Sequence, residues 1–68
     1  MSATDLDFYR ARRDEMAKAA ADTSLARVRE RCERAAAAFG ELADRAERAQ
    51  ATREREKERR AEAGLTSA

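Results

Sequence analysis

The sequence predicts an all-α chain: a two-helix antiparallel hairpin with a long second helix, completed by oligomerisation. Three observations carry this expectation. The 68 residues contain no proline, two glycines, a single valine and no isoleucine, while Ala, Arg, Glu and Leu, all good helix formers, dominate. From Leu25 an apolar or small residue recurs at 28, 32, 35, 39, 42, 46 and 49, in alternating steps of three and four. The stretch "ADTS" at 21–24 interrupts the helical pattern with residues that favour caps.

Helix one is expected over about 4–21. Ser2 with Asp5, or Thr4 with Asp7, forms a capping-box-like pair at its start, with Asp replacing the usual Glu or Gln. Asp5 and Asp7 also place negative charge at the positive end of the helix dipole. Leu6, Tyr9, Arg13, Met16, Ala17 and Ala20 share one face. Arg13 is expected to lay its stem along that face, snorkel outward and pair with Glu33 or another acid of helix two.

Helix two is expected over about 24–62, with Thr23 or Ser24 as its N-cap and Gly64 as its stop. Residues 1–64 then form a single helical hairpin and 65–68 a frayed tail. Gly40 is read as a tolerated glycine on an exposed face of a continuous helix, rather than a kink or a break into a third helix. A short loop makes the two helices antiparallel neighbours. The core then draws on Leu6, Tyr9, Met16, Leu25, Val28, Cys32 and Phe39. The stripe from Leu42 through Ala46 to Ala49 extends past helix one and, with Phe8 on a second face, is the expected interaction surface.

Composition explains why a partner is expected. Charged residues make up 43% of the chain and aromatics 4%, and much of the apolar fraction is alanine. The few large side chains, at roughly 1.5–3 kcal/mol each when buried, face a backbone entropy of roughly 1–2 kcal/mol per ordered residue. Small scaffolds close that gap with disulfides, metal or oligomerisation. One cysteine excludes an intrachain disulfide, and without histidine a Cys/His zinc site is excluded within one chain. Assembly remains.

The formal net charge of +1 provides no global field for nucleic acid or anionic lipid. No apolar run reaches the roughly 20 residues of a membrane span. The start "MSATDLDFYR" lacks the features of a secretory signal, so a cytoplasmic location is expected. The excess of arginine over lysine and the abundance of alanine suggest a GC-rich bacterial source.

No segment carries a catalytic, metal-ligating or cofactor-binding pattern, so neither enzyme activity nor a cofactor is expected. Cys32 lies within the stripe and reads as a small hydrophobe. The run "TREREKERR" at 52–60 alternates charge and reads as a solvated helix end, without an aromatic to stack on bases. Glu30–Arg34, Glu41–Arg45 and Asp44–Arg48 are spaced as helix-supporting pairs.

"DFYRARRDEMAKAA" and "VRERCERAAAAFGELA" together resemble a group of short proteobacterial helical-hairpin proteins. Asp7, Phe8, Tyr9, Arg10 and Arg12 match the first part of their pattern, and Val28, Arg29, Ala36 and Phe39 the second. Cys32 stands where that group has histidine, and Ala35 where it has leucine. The resemblance implies a two-helix hairpin and brings no activity. The expected function is a protein-interaction module that self-associates or docks on a partner protein. The alternative is a nucleic-acid- or ribosome-associated accessory protein using its arginine-rich helix.

Overall fold

High helix propensity along nearly the whole chain gives two helices in the computed structural model, which describes residues 3–66. α1 spans Ala3–Asp22 and α2 spans Ala26–Thr66. They pair as an antiparallel all-α hairpin with extents of 65 × 14 × 13 Å. The long dimension is the length of α2, whose 41 residues rise about 60 Å.

The cap-rich break forms the turn, one step later than expected. The Leu25 carbonyl accepts the first bond of α2, from the Arg29 N–H at 2.9 Å, so Leu25 rather than Thr23 or Ser24 holds the N-cap position. The Thr23 hydroxyl acts earlier, accepting from the Leu25 N–H at 3.2 Å as a local turn. Arg29 Nη2 donates to the Thr23 carbonyl at 2.9 Å and closes the loop.

Both helix ends run further than the sequence suggested. α1 already contains Ala3 and Thr4, so the Thr4–Asp7 pair falls inside it. Ser2, the other candidate cap, lies outside the described residues, as do Met1, Ser67 and Ala68. Gly64 does not stop α2, which continues through Leu65 to Thr66, and no glycine there takes the left-handed conformation of a helix end. α2 also passes Gly40 unbroken. That glycine is half-buried rather than exposed: a Cβ there would lie 3.6 Å from Arg13 Cδ.

The buried core is Leu6, Ala20, Ala43 and Ala46. Leu6 lies against Ala43 and Ala46, with Tyr9 packed beside them. The expected core is therefore corrected at its loop end. Leu25 is 63% exposed and Val28 38%, because the turn leaves no α1 residue beyond them. Met16, Cys32 and Phe39 are half-buried. Ala46 moves the opposite way, from expected overhang to complete enclosure at 0% exposure. The longer α1 and the later start of α2 carry the covered stretch one turn further along α2. Side chains leaning toward their own helix N-terminus extend it again. Leu42, Ala49 and Gln50 are half-buried accordingly, and the overhang begins near Ala51.

Candidate functional site

With a 3.6-residue turn, the placement of α1 on α2 follows from a few contacts. Arg13 meets Gly40, and Leu6 meets Ala43 and Ala46. The Arg12 guanidinium sits 5.5 Å over the Phe39 ring, a cation–π contact. α1 thus straddles the boundary between the apolar stripe and the row one residue later, Ala36, Gly40 and Ala43. Small residues on that row let the helix axes approach. The stripe residues spaced by seven, Val28, Ala35 and Leu42, are left at the edge of α1 and only partly covered.

The hairpin consequently has two unlike broad faces. One carries the Arg10–Glu47 ion pair at 3.4 Å and a shallow groove lined by Ala17, Ala20, Ala21, Arg29, Glu33 and Ala36. The other carries the Arg12–Phe39 contact, and helical spacing brings Val28, Ala35 and Leu42 of α2 to it alongside Met16 and Ala19 of α1. Phe8, 56% exposed, stands at its outer edge with its ring edge-on to Tyr9 at 5.9 Å. Of the expected interaction residues, this face gathers Phe8, Leu42 and Ala49, whereas Ala46 is taken into the core.

The arginines of the packed section of α2 are unevenly placed along the same lines. Arg27, Arg31 and Arg34 follow one another in steps of four and three, and Arg45 returns to that line after three turns. They border the half-covered stripe on the side away from α1. None of the four has an ion-pair or hydrogen-bond partner among the described residues. The acids of the packed section of α2, Glu30, Glu33, Glu41, Asp44 and Glu47, lie on the opposite flank together with Arg29 and Arg48, and the signal that reveals this is their spacing of three, eight, three and three.

The remaining polar contacts are local. Arg13 Nε pairs with neighbouring Asp14 at 3.1 Å rather than with an acid of α2, because Glu33 lies nearer the loop, beside Ala20. Arg12 pairs with Glu15 at 2.6 Å. On the overhang, Glu56 receives Arg59 at 2.8 Å and Arg60 at 3.9 Å. Glu30–Arg34, Glu41–Arg45 and Asp44–Arg48 are not among the ion pairs of the described residues. The grooves along residues 52–60 are walled by side chains of α2 alone and enclose nothing.

Among the described residues, no group of three or more Cys, Asp or Glu is placed to hold a metal ion. No helix there is long and apolar enough to cross a membrane. Cys32 is a half-buried free thiol. Set against family models, curated proteins and solved structures, the chain matches none.

Proposed function

We propose that the chain is a small, non-catalytic protein-interaction module of the cytoplasm that works by self-association. The supporting observation is the mismatch between its core and its surface. Among the described residues, three alanines and one leucine are all that the hairpin buries. Its accessible surface is 5474 Å², against about 4,300 Å² for a compact folded monomer of this mass. The excess of about 1,200 Å² compares with the roughly 800 Å² that each partner covers in an ordinary protein interface. Sedimentation equilibrium across the micromolar range tests the proposal. A dimer or larger species is expected, and a well-folded monomer throughout overturns it.

The unpaired arginines at 27, 31, 34 and 45 favour one second reading, an accessory protein that touches nucleic acid or the ribosome. It requires affinity for single-stranded RNA that falls steeply with salt and is lost on replacing these arginines. Fluorescence anisotropy with a labelled oligonucleotide decides it, and absence of binding at low salt retires it.

A further inference from the structure

We infer that the partner is a second copy of this chain, stacked on the stripe face with both loops at the same end of a four-helix bundle. This rests on the self-association proposed above and adds its surface and its symmetry. Two hairpins can stack face to face about a two-fold axis in two ways. In one, the axis runs along the helices, each α1 lies over the other copy's α2, and the loops coincide. In the other, the axis runs across the helices, α2 lies over α2, and the loops point apart.

Charge distinguishes the two. On the stripe face, the outer edge of α2 carries Arg27, Arg31, Arg34 and Arg45, and that of α1 carries Phe8, Glu15 and Asp22, spaced by seven. With the loops apart, one arginine edge faces another along the bundle. Like charges so juxtaposed oppose association. With the loops together, each arginine edge faces the α1 edge that carries Asp22 and the Arg12–Glu15 ion pair, and no arginine edge meets another. The pairing within one hairpin fixes the levels, since Leu6 lies beside Ala46 and Arg13 beside Gly40. Asp22 then comes level with Arg27 and Arg31 of the second copy, Glu15 approaches Arg34, and Phe8 reaches Leu42 and Arg45. At the same levels, Met16 and Ala19 of the other chain cover Ala35, Arg12 comes level with Leu42, and Val28 stays at the loop end of the stacked face. Every neighbouring helix pair is antiparallel, as in an ordinary up-down bundle.

Electron–electron distance measurement tests this on the full chain. A nitroxide is attached at Glu58→Cys in a Cys32→Ser background, on the overhang and away from the stacked face. With the loops together, the two labelled helices are diagonal neighbours about 14 Å apart, so the expected interchain distance, with label arms, is about 20–30 Å. With the loops apart, the labels lie about 60 Å from each other. The long distance overturns the arrangement while leaving self-association standing. A chain that sediments as a monomer and gives no interchain coupling overturns both. As a second measurement, Arg31→Glu with Arg34→Glu should raise the dimer Kd about tenfold. Adding Glu15→Arg and Asp22→Arg should restore it, since these edges meet only with the loops together. A swap that fails to restore affinity also overturns the arrangement.

Discussion

Ala46 is fully enclosed and Ala43 nearly so because Leu6 lies across both. Removing the Leu6 side chain takes away the one large group in the buried cluster, so Leu6→Ala should destabilise the fold by about 2–3 kcal/mol. Leu65→Ala, at a site 82% exposed, should stay within about 0.5 kcal/mol of the parent. Thermal melts at matched concentration compare the two. Gly40 offers the opposite change. Its backbone is helical, and an added Cβ meets only the flexible Arg13 stem at ordinary contact distance. Gly40→Ala should therefore stabilise by about 1 kcal/mol and raise Tm by several degrees. A lower Tm would show that Arg13 cannot yield.

At the scale of the elements, α2 has two sections with different support. From Ala26 to Gln50 it is packed on α1; from Ala51 it stands alone. Single helices of such length are marginal in water, so the overhang depends on propensity and on pairs such as Arg59–Glu56. Its amides should exchange with solvent fastest in α2, with protection rising toward Ala46, as hydrogen exchange read residue by residue will show. The two helices and their turn were legible in the sequence because propensity, the three-four stripe and "ADTS" all agreed. The edge on which α1 settles was not. A stripe defined by its larger members draws attention to Leu25 and Val28, whereas close helix approach selects the neighbouring row of Ala36, Gly40 and Ala43. The arginine line was written in the same spacing but was hidden by a net charge near zero, which averages over faces.

For the whole molecule, an elongated hairpin with so small a core should draw stability from association. Tm should then rise with protein concentration, since a partner that binds only the folded chain stabilises it by mass action. Melts over a hundredfold dilution series measure this, and coincident curves would separate folding from assembly.

The lone section of α2 has a geometric consequence. Residues 51–66 project about 24 Å past the packed hairpin as a rod whose tip position is independent of what holds its base. Seven residues inserted there would carry the tip outward by about 10 Å and return it to within about 20° of its bearing. Four would advance it about 6 Å and swing it by about 40°. Length can thus be set by insertion at a nearly constant bearing, so that this end of the chain behaves as an adjustable ruler attached to a fixed handle.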